Sequence, residues 1–502
     1  MSKMLGVVTC GVGMLLPVLW AQDTRVVTEP KIPAACVVLH AEQTSAQANA
    51  SSATETLDTA RIQQALDHCA AGHAVELAKG KGKDDDAFVT GPLELRDGVT
   101  LLVDRQVTLY ASRDPKVFEV ETAEELAGKP GKCGTAEPRP TSFPTFAMGA
   151  ARPRGGCRPL MTVSHATNAG IMGEGTIDGR GYAQEIGHDY SWWQMARKAQ
   201  PHDDLYYSIR MIVADHADGF TLYGIHLVNS ANYHVSVAQT NGFTAWGVHL
   251  QTPVNKALIG TDNDARNTDG IDPGTSENIT IAHSWIDNGD DNIAIKQGVS
   301  HMSVIDDHFY SGHGMSIGSE TVQGQSYLLV DGLSEDHTTS GIRIKSNVKR
   351  GGPVHDLVYA NVCMRGVPIP IAVSPYYTNQ TVEPFEDPKY VGDRIPDYKA
   401  ITLRNIYSES AGDVLIAGLN DAHRTEITLD HVHIVGITAQ QLHLAYDDIH
   451  TRGCSNDGSK WPATNLPLAQ VPATVKVDGV ACGGAVEQKR ADPCADKFVP
   501  MQ

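Results

Sequence analysis

Asp269, Asp291 and His313 stand at equal steps of 22 residues, and each opens a similar phrase: Asp269-Gly270-Ile271, Asp291-Asn292-Ile293 and His313-Gly314-Met315. A constant step of this size is about one coil of a parallel β-solenoid, a fold made of stacked repeats. Residues one coil apart then stack about 4.8 Å from each other, the spacing of paired strands. The step therefore brings two carboxylates and an imidazole together in space, with Asp290 adding a third carboxylate beside Asp291.

The rest of the chain suits such a fold. Short strand-like runs recur at roughly twenty-odd residues, as in Phe220-Thr221-Leu222-Tyr223, Phe243-Thr244-Ala245-Trp246, Ile279-Thr280-Ile281 and Ile427-Thr428-Leu429. Turn pairs such as Asp218-Gly219 and Asn241-Gly242 precede many of them, and 47 glycines supply turns in quantity. Thr59 to Cys69 places Ile62, Ala65, Leu66 and Cys69 on one helical face, with Asp58 or Thr59 as N-cap, and predicts a short helix closing the open end of the solenoid. Two stretches interrupt the rhythm, Lys129 to Arg158 and Tyr182 to Asp204; both are expected as excursions from the solenoid, the second partly helical around Trp192-Trp193. The rival architecture, a β-sandwich with an accessory domain, predicts no constant coil step.

The N-terminus carries Lys3, an apolar run from Met4 to Trp20 and then Ala21-Gln22-Asp23, the pattern of a secretory signal with cleavage after Ala21. A membrane anchor is the alternative, although Thr9, Gly11, Gly13 and Pro17 interrupt the run. Eight of the nine cysteines follow the signal, an even number that fits disulfides in an oxidising compartment. Eight cysteines allow 105 connectivities; pairing neighbours along the chain is the simplest guess. The formal net charge of −19 excludes non-specific binding to nucleic acid or anionic lipid. No CxxC or HExxH spacing is present, so no zinc site is expected.

The candidate site follows from the column. Carboxylates as close as Asp269, Asp290 and Asp291 disfavour joint ionisation, so one should have a raised pKa. A protonated acid beside ionised partners is what cleavage of a glycosidic bond requires. Glycines flank His313 and permit close approach of a ligand. In Gly341-Ile342-Arg343-Ile344-Lys345-Ser346, strand alternation puts both isoleucines inward and both cations outward on one face, one coil beyond His313 after an insertion. In so acidic a protein, a local pair of cations points to a substrate bearing carboxylates.

The phrases Asn267-Thr268-Asp269, Gly289-Asp290-Asp291, Gly312-His313-Gly314 and Arg343-Ile344-Lys345, in that order, resemble the polygalacturonases, glycoside hydrolase family 28. The likeness is strongest to the bacterial endo-enzymes, includes Ser191-Trp192-Trp193, and runs from about Cys36 to Gly436. It implies an all-β, single-domain, right-handed parallel β-helix with a short N-terminal capping helix. Residues 1–21 would be the signal peptide, 22–57 an extended or loop segment, and 58–502 the catalytic β-helix with loop insertions. The resemblance also implies inverting hydrolysis of α-1,4-linked galacturonate in pectin by a secreted monomer, extracellular or periplasmic, with no metal or cofactor. By position, Asp290 is then the general acid, Asp269 and Asp291 activate water, and His313 supports the acid's protonation. Asn267, Arg343 and Lys345 bind substrate, as does Tyr377, with Tyr376 as the alternative register. The stretches Cys133 to Cys157, Gln323 to Asp336 and Thr378 to Ile395 look like insertions that could close one end of a cleft and turn endo into exo action. Further alternatives are a rhamnogalacturonan or xylogalacturonan hydrolase, a calcium-dependent pectate lyase, and a polysaccharide-binding solenoid without activity.

Overall fold

The short apolar runs of the sequence stack as rungs, and the stacking is what makes them strands: each pairs with its equivalents one coil before and after. The computed structural model describes residues 21–51, 54–121, 127–139, 156–377, 392–453, 457–479 and 492–501. Among these, three parallel stacks run the length of the molecule. The first extends from Ala35–His40 to Lys476–Gly479, the second from Asp85–Thr90 to Ser334–Asp336, and the third, of 11 strands, from Leu93–Glu94 to Leu442–Ala445. From Pro353–Arg365 onward the first two stacks fuse into long strands such as Asp397–Ser408. Crossovers between parallel strands are right-handed, and the molecule is a right-handed parallel β-helix.

Its interior is built of columns, one residue per rung. In the third stack Ile271, Ile293, Met315, Ile342 and Ile371 are in register, all with no exposed surface. Each aliphatic side chain buried in this way contributes about 1.5–3 kcal/mol. Alternation sends the intervening residues to the outer face of the same sheet, where the chemistry lies.

The helix Thr59–His68 forms as expected and buries Ile62 and Leu66 in the main core. Asp58 is its N-cap but makes no capping bond; its carboxylate instead accepts from Val89 N at 2.8 Å and from Arg61 Nε at 2.8 Å. The segment 22–57 contains the strand Ala35–His40, paired with His73–Ala78, and a short helix Ser45–Ala48. The two excursions meet where Arg139 donates to the Asp203 carboxylate, both bonds 3.1 Å; Ala136–Glu137 pairs antiparallel with Leu205–Tyr206, just past the second, and the helix Trp192–Ala199 starts on a capping box between Ser191 and Gln194.

Two expectations are corrected. Gln323 to Asp336 is not an insertion over a cleft; Gln325–Asp331 and Ser334–Asp336 are regular rungs of the first and second stacks. Polar residues at their outward positions hid the apolar Leu328, Val330 and Leu333 that fill the core. Neighbour pairing of cysteines holds for Cys36–Cys69 and Cys133–Cys157, but Cys363 bonds Cys494. The C-terminal segment folds back on that flank, where Val499 O accepts from the Tyr310 hydroxyl at 2.7 Å. Residues 1–20 of the signal, residues 140–155 and 378–391 of the other two insertions, Cys454 and Cys482 lie outside the described residues. No helix among the described residues is long and apolar enough to cross a membrane.

Candidate active site

Asp269, Asp291 and His313 each precede by two residues a member of the column Ile271, Ile293, Met315, so the equal steps in sequence become one stack at the edge of the third sheet. Buried amides shape the turns that carry them. Asn288 Nδ2 donates to Thr268 O and Asp291 O, both at 2.8 Å. Asn292 Nδ2 donates to Asn288 Oδ1 at 2.8 Å, while Asn292 Oδ1 accepts from Gly314 N at 2.8 Å. Backbone bonds Gly270 N to Asp291 O and His313 N to Asp290 O, each 2.9 Å, join successive turns. Gly312 and Gly314 adopt φ of 74° and 79°, left-handed values that suit glycine.

One oxygen from each of Asp269, Asp290 and Asp291 lies within 4.8 Å of the others. Their surroundings differ. Asp291 is buried and accepts from Lys345 Nζ at 2.8 Å, Arg343 Nη1 at 3.3 Å and Ser316 Oγ at 2.8 Å. Burial alone would raise its pKa; Lys345 and Arg343 overcome that and hold it well below the ordinary range. Asp269 is equally buried, with one cation, Lys296 Nζ, at 3.4 Å. Burial and then the charges of Asp272, Asp290 and Asp291 hold its carboxyl well above the usual value. Asp272, 3.3 Å from the same Lys296, is pushed up to about 6, chiefly by burial. The raised carboxyl expected from sequence is thus found at Asp269, with Asp272 beside it.

Asp290 is the most accessible of the three, its side chain 24% exposed. Its Oδ2 accepts from Asn267 Nδ2 at 3.2 Å, and Asn267 Oδ1 in turn accepts from the Tyr206 hydroxyl at 2.8 Å. His313 Nε2 stands 4.0 Å from Asp290 Oδ1, and its Nδ1 is 2.7 Å from Thr339 Oγ1.

Arg343 and Lys345 leave the strand on the outer face, as alternation requires, but they are not solvated: both are buried and paired to Asp291. Tyr377 covers them, its ring centre 5.6 Å from the Arg343 guanidinium, 5.3 Å from Lys345 Nζ and 5.4 Å from Arg350. Tyr376 turns away and donates to Leu419 O at 2.8 Å, so the register alternative does not reach the site. Sequence reasoning missed Lys296, Asp272 and Ser316. Strand alternation held the signal: Asp272, Ala294, Ser316 and Arg343 occupy the outward position of four successive rungs.

Three carboxylates at this spacing could bridge a divalent cation. Lys345, Arg343 and Lys296 already supply positive charge to two of them, so the donor set suits proton chemistry better than a resident metal.

The model of the glycosyl hydrolases family 28 matches residues 145–454, which include every residue of this site. The chain is 36% identical over 436 residues to the endo-polygalacturonase of Pectobacterium carotovorum subsp. carotovorum, covering 86% of this chain and 94% of that protein. It is 33% identical over 529 residues to the polygalacturonase of Ralstonia solanacearum, covering 95% and 92%. The solved polygalacturonase from Erwinia carotovora ssp. carotovora superposes with a TM-score of 0.68 at 35% identity, over 84% of this chain and 100% of that one. The Yersinia enterocolitica family 28 exopolygalacturonase, at 19% identity and a TM-score of 0.56 over 79% of this chain and 69% of that one, shares the fold. A column of acids and an imidazole on the rungs of a parallel β-helix, inside a family match that spans more than half of the sequence, makes this chain a member of glycosyl hydrolase family 28.

Proposed function

We propose that this glycoside hydrolase is a secreted polygalacturonase that cuts α-1,4 bonds within polygalacturonate. The observation that carries the reading is the pairing of Asp291 with Lys345 and Arg343 beside the accessible Asp290: an ionised carboxylate and an available carboxyl share a groove with cations. Asp290 gives its proton to the glycosidic oxygen as the C–O bond breaks. Water attacks the anomeric carbon and loses one proton to the Asp269–Asp291 pair, which together activate it. His313 returns a proton to Asp290 between turnovers. Arg343 gives Nη1 to Asp291 and Lys345 one of three ammonium hydrogens, so both retain further donors for a sugar carboxylate. Asn267 and Tyr377 complete the substrate contacts.

The raised pKa of Asp269 favours a second assignment, in which Asp269 rather than Asp290 gives the proton. Inversion is proposed from the family resemblance; the nearest oxygens, within 4.8 Å, are closer than the roughly 6.5–9.5 Å usual between inverting carboxyl groups. Secretion after cleavage at Ala21, a catalytic unit over 58–502 and a monomeric state belong to the same proposal, and three disulfides among the described residues support an oxidising destination.

The test is a time course of products from polygalacturonate. Mixed oligomers appearing first support endo action, and monomer or dimer alone makes the enzyme exo-acting. An unsaturated product lost with chelator would make it a lyase, and preference for a rhamnose- or xylose-substituted polymer would change the substrate. Absence of turnover would leave a binding solenoid.

A further inference from the structure

The inner column of the second stack runs Leu109, Ile177, Leu227, Leu250, Ile286, Phe309, Glu335, Met364. Seven members are apolar and one is a carboxylic acid. Glu335 has no exposed surface, and no cation is among the causes that shift its pKa, where burial is opposed only by the Met315 N–H. A buried carboxyl without a charge partner is costly, and a rung rule broken at one position marks a functional constraint.

The position explains what the acid is for. Glu335 Oε1 accepts from Met315 N at 3.2 Å, a bond shared with Gly341 O. A Cβ on Gly314 would come within 2.9 Å of that same oxygen, so the carboxyl lies directly beneath the turn that carries His313. On the far side of this turn His313 faces Asp290. The equivalent turn one rung earlier is held from inside by Asn288 and Asn292.

We propose that Glu335 is a positioning residue: from the interior of the solenoid its carboxyl holds the Gly312–Met315 turn so that the imidazole of His313 faces Asp290. It acts as a neutral acid, since burial pushes the group up to about 8. The titratable neighbour is Tyr359, whose hydroxyl has no hydrogen-bond partner among the described residues and whose pKa is raised by burial and then by Glu335. The proposal rests on the reading of His313 as an active-site group.

Two substitutions separate positioning from packing. Glu335→Leu places in the column the side chain already present at Leu227 and Leu250, so a purely structural role expects a stable and fully active protein. The positioning role expects an unchanged or higher Tm, a kcat on polygalacturonate at least about tenfold lower, and a KM within about twofold. Glu335→Gln keeps the acceptor and should restore kcat to within about threefold. The second readout needs no turnover: the Cε1–H resonance of His313 in protein labelled at histidine, assigned by its loss in His313→Ala, should shift in Glu335→Leu and stay in place in Glu335→Gln. Wild-type kcat or an unmoved His313 resonance in Glu335→Leu overturns the proposal, as does a Tm loss shared by both variants. If the wild type is inert on polygalacturonate, the substrate reading fails and the resonance still decides the role of Glu335.

Discussion

Lys296→Met removes the ammonium that stands 3.4 Å from Asp269 and 3.3 Å from Asp272, while leaving most of the side-chain volume in place. Both carboxyls are already raised, and Lys296 is the cation that most limits the rise at each, with Arg210 adding to it at Asp272. A hydrogen bond to a charged group contributes about 1.5–3 kcal/mol. At about 1.36 kcal/mol per pH unit, its loss moves the Asp269 titration upward by about 1–2 units. The assay is reducing-sugar release across pH, with kcat/KM reporting groups of the free enzyme. If Asp269 must be ionised to activate water, the acid limb moves to higher pH by that amount. If Asp269 is instead the proton donor, the alkaline limb moves and the acid limb stays. Stability gives an independent check. A carboxyl whose folded pKa is raised loses its stabilising contribution as pH climbs from its unfolded to its folded value, so the variant's decline should extend to higher pH than the wild type's. A profile with neither limb displaced refutes the electrostatic reasoning.

Other outcomes follow from the same structure. Proton NMR of the first product should show the anomer opposite to that of the substrate linkage; retention would remove Asp269 and Asp291 from their role as water activators. Glu185 is buried and pushed up to about 9, with no hydrogen bond to either oxygen among the described residues. Its folded pKa exceeds its unfolded value, so it favours the folded state least at high pH. Thermal melts from about pH 5 to 9 should fall less steeply for Glu185→Gln than for the wild type; Glu335 and Asp447, pushed up to about 8 and 9, leave part of the slope in place. Cys363→Ser releases a link to Cys494 across 131 residues and should cost about 2–4 kcal/mol in urea unfolding.

The column was legible because the chain keeps its 22-residue step through Asp269, Asp291 and His313, and a parallel stack converts equal steps into contact. Arg343 and Lys345 were legible as outward residues, since alternation sets the face of a strand. Alternation says nothing about what covers that face, and Tyr377, which follows the next rung Ile371–Ser374, buries both cations. Lys296 was missed because its role depends on two acids that precede it on the adjacent rung. Gln325–Asp331 was mistaken for an insertion because the turn before it breaks the step by a few residues. The partner of Cys363 was hidden because it arrives on a C-terminal segment whose return path leaves no periodic trace. Glu335 was invisible for the opposite reason: an acid beside Asp336 in an outwardly polar run looks like surface until its register with Phe309 and Met364 places it inside.

The most direct measurement is a crystal structure of the Asp290→Asn variant with a bound galacturonate oligomer. The account expects a glycosidic oxygen about 2.6–3.2 Å from the residue 290 side chain, a sugar carboxylate against Arg343 and Lys345, and a water between Asp269, Asp291 and the anomeric carbon. An oligomer whose glycosidic bonds all lie away from residue 290, or one seated on another face of the solenoid, would contradict it.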